Sequence, residues 1–248
     1  MEVEKDQHFL INREALNREI EEAGLNPEDK VIEIGAGTGI LTEELAKKAG
    51  QVLSFEIDKK FKEKLYNLEK YNNLKIIYKN ALNCSWEGYN KIVSNIPYSL
   101  SEPVVMKAIN SNIELMVLIV SENFKNVLFS EDRKISKIAN LFFIIKSVSV
   151  VKKESFFPMP KVDSWILKFE RKKPAKIEKI LQNIVTKNSK IKNAILYSLV
   201  ENGKTKKQAK EIVNKFGLHE NILNKSVKKI TCKLIKRIKE NLEISDIK

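Results

Sequence analysis

Four residues of strand character, Val31-Ile32-Glu33-Ile34, run without a break into Gly35-Ala36-Gly37-Thr38-Gly39, and an amphipathic stretch from Ile40 to about Ala49 follows. Few folds accommodate this order. Glycines open backbone conformations closed to other residues and let the main chain approach a ligand closely. The first turn of the following helix points free N–H groups at whatever sits beyond the strand. A second strand, Gln51 to Glu56, ends on a carboxylate twenty-one residues after Gly35. Strands alternating with helices build a parallel sheet, and ligands bind such sheets beyond the carboxyl ends of the strands.

The spacing is G-x-G-x-G rather than the G-x-G-x-x-G of dinucleotide sites, which turns the expectation from dinucleotides toward S-adenosylmethionine. Gly35 and Gly37 become cofactor-binding candidates, and Glu56 becomes the acceptor for ribose hydroxyls; a plain tight turn is the bland alternative. The remaining periodicities fit the same plan. Asn12 caps a helix that starts at Arg13 and ends near Gly24, and a further helix spans Phe61 to Leu68. Strands fit Leu74–Tyr78, Lys91–Ser94 and Glu114–Val120, with a helix around Pro103–Ile109. The fold class is therefore α/β, a doubly wound sheet. Ser147–Lys153 and Val162–Phe169 are β-branched and too closely spaced for a crossover helix, so an antiparallel pair closing one sheet edge is expected. After Pro174 the pattern changes to lysine-rich helical periods, Ile177-Ile180-Leu181-Ile184, Ala209-Ile212-Val213-Phe216 and Ile230-Leu234-Ile235-Ile238. Two domains are expected, residues 1–173 and a small all-α domain of residues 174–248.

Charge divides the chain at the same place. Residues 1–170 hold 24 Lys+Arg against 25 Asp+Glu, while residues 171–248 hold 21 against 7. A basic excess so localised points to phosphate, with nucleic acid the first source to consider and a solvated lysine-rich face the alternative. Only five of the 45 basic residues are Arg, which suits backbone attraction better than base reading. Two cysteines and two histidines, all far apart, predict neither a disulfide framework nor a metal site. The charged opening Met1–Asp6 lacks an apolar signal region, and no run is long enough to span a membrane, so a cytoplasmic protein without membrane association is expected.

Asn95-Ile96-Pro97-Tyr98 follows the strand Lys91–Ser94 directly. Taken by itself it is either an ordinary turn or a clamp that holds a flat nitrogen heterocycle by its amino group, with Asn95 offering an amide and Tyr98 an aromatic face. Gly35, Glu56 and Asn95 each fall at the carboxyl end of a strand and should line one crevice.

Together with Gln7-His8-Phe9-Leu10, Glu33-Ile34-Gly35-Ala36-Gly37, Glu56-Ile57-Asp58 and Phe156-Phe157-Pro158-Met159-Pro160-Lys161-Val162-Asp163-Ser164, this turn gives the chain a clear likeness. It resembles the ribosomal small-subunit RNA adenine dimethyltransferase family, in its archaeal and eukaryotic-like form, over nearly the whole length. The resemblance implies a Rossmann-like S-adenosylmethionine-dependent sheet. It also implies that His8, Leu10, Gly35, Glu56 and Asn95 contact the cofactor and that Asn80 holds its adenine ring. The family usually carries Asp at that position, and Ser121-Glu122-Asn123-Phe124-Lys125 also departs from its pattern. The carboxamide oxygen of Asn80 is expected to accept from the cofactor's exocyclic amine, without charge assistance.

The catalytic set implied is Asn95, Ile96, Pro97, Tyr98 and Phe156. The Asn95 oxygen and the Ile96 carbonyl would accept the two N6 hydrogens of a target adenine, Pro97 would fix the backbone, and Tyr98 and Phe156 would stack on the two faces of the base. Core packing is the competing expectation for Tyr98 and Phe156, and docking of the N-terminal segment is that for His8. Lys161, Lys204, Lys206, Lys207, Lys225, Lys228 and Lys229 are the RNA-binding candidates. The function so implied is transfer of methyl groups to N6 of two adjacent adenines near the 3′ end of small-subunit rRNA, in a pre-30S/40S-type particle, by a monomer. A large-subunit rRNA methylase conferring antibiotic resistance is one rival, and a non-catalytic assembly or transcription factor on the same scaffold is another.

Overall fold

The computed structural model describes residues 7–245, so the charged opening Met1–Asp6 lies outside the described residues. Two compact units emerge, the first built from the residues up to Phe129 together with Phe143–Arg171, the second from Ser130–Phe142 and the residues from Lys172 onward.

The first unit is organised by seven strands. In chain order they are β2 (Lys30–Ile34), β3 (Gln51–Phe55), β4 (Leu74–Ile77), β5 (Lys91–Asn95), β6 (Leu115–Ser121), β7 (Phe143–Val151) and β9 (Ser164–Arg171). Their order across the sheet is β4-β3-β2-β5-β6-β9-β7. The first five run parallel, and β9 is antiparallel to both β6 and β7. The expected edge pair is thus present, but it starts four residues earlier at β7 and ends two later at β9, with a bulge between Ser147 and Ser149. A separate two-stranded sheet pairs β1 (Phe9–Leu10) with β8 (Phe156–Phe157). The chain winds outward from β2 through β3 to β4, then returns to the other side of β2 as β5. That reversal opens a crevice at the carboxyl ends of β2 and β5, where open α/β sheets bind ligands.

Helices cover the sheet. α1 (Arg13–Ala23) starts where the Asn12 side chain accepts from the Ala15 N–H and ends at Gly24 in the left-handed region. It buries Leu16, Ile20 and Ala23 in a core shared with Val31, Val93, Val117 and Ile119. α2 (Ile40–Lys48) grows out of the glycine turn, and α4 (Ser101–Ile109) follows the Asn95 turn. The expected Phe61–Leu68 helix is shorter, a 3-10 turn Lys59–Phe61 followed by α3 (Lys62–Tyr66). α5 (Glu122–Leu128), capped by Ser121, has no counterpart in the sequence expectation. Arg171 closes the unit by donating from its guanidinium to the carbonyls of Ala108 and Ser111.

The second unit is helical: α6 (Lys134–Phe142), α7 (Lys176–Thr186), α8 (Ile191–Glu201), α9 (Lys206–Lys215), α10 (Glu220–Leu223) and α11 (Cys232–Ile244). The expected boundary at 173/174 needs correction. The division falls at Arg171/Lys172, and residues 130–142, placed by sequence in the first domain, belong to the helical unit. The physical reason is the apolar stripe Ile135, Ile138, Ala139 and Phe142, all buried on α6. Gln182 donates to the Leu141 carbonyl and Lys134 to that of Lys228, which ties both ends of α6 into the helices. Among the described residues no helix is long and apolar enough to cross a membrane.

Candidate active site

The glycine turn after β2 bends back under β3. The Gly35 and Ala36 N–H groups both donate to the Phe55 carbonyl, at 2.7 and 3.0 Å. Gly37 sits at φ +52°, and a Cβ there would meet the Phe9 ring at 3.0 Å. Only glycine combines that backbone with that neighbour. Its N–H donates to Glu56 Oε2 at 2.7 Å, while Ile57 and Asp58 donate to Oε1 at 2.8 Å each. Three of the roughly four acceptor positions of a carboxylate are then engaged. Glu56 lines the cavity as expected, but with room for one ribose hydroxyl hydrogen rather than two.

Gly35, Gly37, Glu56, Asn80 and Asn95, drawn from four different strand ends, line one cavity of about 310 Å³ with His8, Leu10, Ile96, Pro97 and Tyr98. The volume falls at the lower end of the range of about 300–1,000 Å³ found for small-molecule sites. Asn95 is the last residue of β5, and its Nδ2 donates to the His8 carbonyl at 3.1 Å. That bond fixes the amide and leaves Oδ1, an acceptor, as the end without a partner among the described residues. Pro97 packs against Gly35, 3.7 Å from where a Cβ would stand. The Tyr98 hydroxyl and Ser164 Oγ lie 2.6 Å apart, and the Tyr98 ring is 5.6 Å from that of His8. His8 in turn bonds through Nδ1 to the Pro158 carbonyl at 2.8 Å. Sequence reasoning missed the Ser164 and Pro158 partners, which no local pattern announces.

Phe156 is not where the resemblance put it. It is 2% exposed, packed with Leu16, Val151 and Ile166 in the core, and does not line the cavity, whereas Phe157 is 63% exposed. Phe156 stands opposite Leu10, and both pack on the core beneath α1, but only Leu10 also reaches the cavity. Asn80 has a structural duty as well. Its Oδ1 accepts from the Leu82 N–H at 2.9 Å, capping the 3-10 turn Ala81–Asn83. One lone pair of Oδ1 and the NH₂ group are left for a ligand, so the oxygen can cap and still accept, with only the second oxygen of an Asp missing.

Two buried acids complete the lining. Glu33, in the middle of the sheet, accepts from Thr42 Oγ1 at 2.7 Å and Ser54 Oγ at 2.6 Å. Burial pushes its carboxyl up to about 7, against the pull of those hydroxyls. Glu19 of α1 is 0% exposed. Burial first, and the neighbouring charge of Glu33 second, hold it well above the usual carboxylate range. Sequence reasoning missed it, although Leu16, Glu19, Ile20 and Ala23 fall on one helical stripe, where an acid is out of place.

Of the candidate lysines, Lys161 lies in the sheet unit and is exposed. In the helical unit Lys206 and Lys207 open α9 behind the Thr205 cap, with Lys204 half-buried just before them. Lys228 and Lys229 are exposed on the 3-10 turn Val227–Lys229, and Lys225 is exposed ahead of it.

Comparison with known proteins agrees with this geometry. Residues 3–240 match the family described as Ribosomal RNA adenine dimethylase. A protein of Pyrococcus furiosus named Probable ribosomal RNA small subunit methyltransferase A is 32% identical, covering 97% of this chain and 92% of its own length. A protein of the same name from Methanococcus aeolicus is 30% identical over 95% of this chain and 94% of its own. In fold, the chain is similar to a dimethyladenosine transferase from Plasmodium falciparum, with a TM-score of 0.64, 22% identity and coverage of 96% and 98% of the two chains. It is also similar to the 23S rRNA methyltransferase ErmE, with a TM-score of 0.64, 24% identity and coverage of 95% and 99%. A full-length sequence match, together with a glycine turn, a strand-end acid and an Asn-Ile-Pro-Tyr turn around one cavity, establishes that this chain belongs to the ribosomal RNA adenine dimethylase family.

Proposed function

We propose that the protein transfers methyl groups from S-adenosylmethionine to the exocyclic N6 of adenine in small-subunit rRNA, twice at each base, giving N6,N6-dimethyladenine. The observation that carries this is Asn95, whose amide nitrogen is held by the His8 carbonyl so that its oxygen is the end left for a ligand. Adenine N6 is a poor nucleophile because its lone pair is delocalised into the ring. Accepting its hydrogens on Asn95 Oδ1 and the Ile96 carbonyl draws the nitrogen toward tetrahedral geometry and frees that lone pair. Rate enhancement then comes from positioning and from fixed dipoles. Tyr98, steadied by Ser164, offers one face for the base. The buried position of Phe156 moves the opposite face to another group, and the neighbouring Phe157 is the exposed aromatic of that loop.

The lining suits a cationic cofactor. Among the described residues around the cavity, Glu19, Glu33 and Glu56 face a single lysine, Lys79. Bound there, S-adenosylmethionine supplies an electrophilic methyl group on a sulfonium. Gly35 and Gly37 give its backbone-lined cradle, Glu56 takes a ribose hydroxyl, and His8 and Leu10 wall the N-terminal side. Asn80 meets the adenine ring, with the second lone pair of its oxygen for the amine and its NH₂ for a ring nitrogen. The lysines of the helical unit, with Lys161, hold rRNA by its phosphates. Two adjacent adenines near the 3′ end of the small-subunit rRNA, within a pre-30S/40S-type particle, are the target, and a cytoplasmic monomer is the acting species.

The test is methylation of purified 30S and 50S precursor particles with methyl-labelled cofactor, followed by nucleoside analysis. Labelled dimethyladenosine in 30S RNA is the expected result. Label confined to 50S RNA would transfer the assignment to the large subunit, and failure to bind cofactor by calorimetry would favour a non-catalytic factor.

A further inference from the structure

Glu19 is the polar group of the sheet unit that the proposed reaction does not use. Its carboxyl is fully buried, neither oxygen has a hydrogen-bond partner among the described residues, and it lines the cavity. Buried polar groups are nearly always satisfied, and an unpartnered acid normally costs stability without return. α1 packs against β5, β6, β9 and α2, and none of these supplies a countercharge. On β5, Lys91 is engaged by Asp29 and by the carbonyls of Ala23 and Gly24, beyond the far end of α1. On β9, Lys168 lies against Glu22 and Glu170. Glu43, Glu44 and Lys47 of α2 pair with one another, and β6 carries no ionisable side chain. What the fold does bring near Glu19 is a second acid, Glu33 of β2, while the Ser94 backbone of β5, near enough to favour ionisation, does not reach hydrogen-bond geometry. An acid placed beside an acid at the wall of a cavity is suited to a positively charged occupant.

We propose that Glu19 is a specificity-determining residue that reads the charge of the methyl donor: neutral in the ligand-free cavity, it releases its proton to solvent when the sulfonium form enters and takes one up again when the neutral thioether product is left. The donor carries one positive charge more than the product. Two unit charges about 10 Å apart at an effective dielectric of about 20 interact strongly enough to change affinity on the order of tenfold. Glu19 thus favours the donor over the product and weakens the hold on the product once the charge has gone. The inference rests on the proposed function, because it takes S-adenosylmethionine as the occupant.

The experiment is titration calorimetry of the full chain with S-adenosylmethionine and with S-adenosylhomocysteine, between pH 6.5 and 8.5, in buffers of different ionisation enthalpy. The same titrations are run on Glu19→Gln. Expected in the parent chain is release of up to about half a proton, the most that a tenfold coupling allows, on binding the sulfonium form and clearly less on binding the thioether. At pH 8.5, where Glu33 is already ionised, the difference in proton release disappears in Glu19→Gln and the preference for the donor falls on the order of tenfold. Equal proton release for the two ligands in the parent chain overturns the proposal without any variant. So does a Glu19→Gln variant with unchanged preference and proton release. Binding of neither ligand overturns the proposed function itself, which separates the two failures.

Discussion

Glu33→Gln tests whether the buried acid at the centre of the sheet governs the pH dependence of stability. The carboxyl releases its proton near 4.5 in the unfolded chain and is held up to about 7 in the folded one. Between those values the folded state binds more protons than the unfolded state, so stability falls as pH rises through that window. Each pKa unit corresponds to about 1.36 kcal/mol, so the two and a half units amount to about 3 kcal/mol. The cost is absent below about pH 4.5 and complete above about pH 7. Glutamine keeps the shape and, with its oxygen in the place of Oε2, accepts from both the Thr42 and the Ser54 hydroxyl, but does not titrate. Urea unfolding followed by the fluorescence of Trp86 and Trp165, both in the sheet unit, gives the free energies directly. Parent minus variant should fall by about 3 kcal/mol between pH 4.5 and pH 8. Removing the Glu33 charge also lowers the carboxyl of Glu19, which adds to the fall in the same direction. A difference that is the same at both pH values would refute the reasoning.

Asn95→Ala removes the amide oxygen and should lower methyl transfer by at least about a hundredfold, the usual loss for one positioned dipole, while RNA affinity in filter binding stays within about twofold. Comparable turnover in the variant would end the role assigned to the Asn95 turn. Charge reversal to Glu at Lys206, Lys207, Lys228 and Lys229 together should weaken rRNA binding and reduce the slope of log K against log salt by about 3, since each phosphate contact contributes about 0.7–0.9. An unchanged slope would return those four to the solvated surface.

The parallel half of the sheet is legible in the sequence because three of its five strands are short apolar runs that lead into a residue with its own chemistry, Gly35, Glu56 or Asn95. These ends converge by topology, so the crevice follows once the strand order is guessed. Phe156 and Phe157 illustrate the opposite case. Two adjacent aromatics face opposite ways, and only the pairing of Leu10 with Phe156, across most of the first unit, says which is inside. A two-residue strand has no period to read. The α6 stripe is visible as a helical pattern, but its membership in the helical unit depends on α7 and α11, far along the chain. Asn80 shows a limit of another kind. Its amide is evident from the residue type, while its second duty as the cap of a 3-10 turn is set by local geometry that residue types do not reveal.

The small β1–β8 sheet has a consequence for how the protein is made. The His8–Pro158 bond spans 150 positions, and the Ile11 N–H reaches the Ser155 carbonyl beside it. During synthesis from the N-terminus, the glycine turn, Glu56 and Asn95 leave the ribosome well before those partners exist. The N-terminal wall that carries His8 has Asn95 to hold its carbonyl but lacks its strand partner and its imidazole bond until Pro158 has emerged. A nascent chain can therefore display every motif by which it is recognised and still lack a closed chamber, and any prematurely terminated fragment ending before Ser155 is left in the same condition.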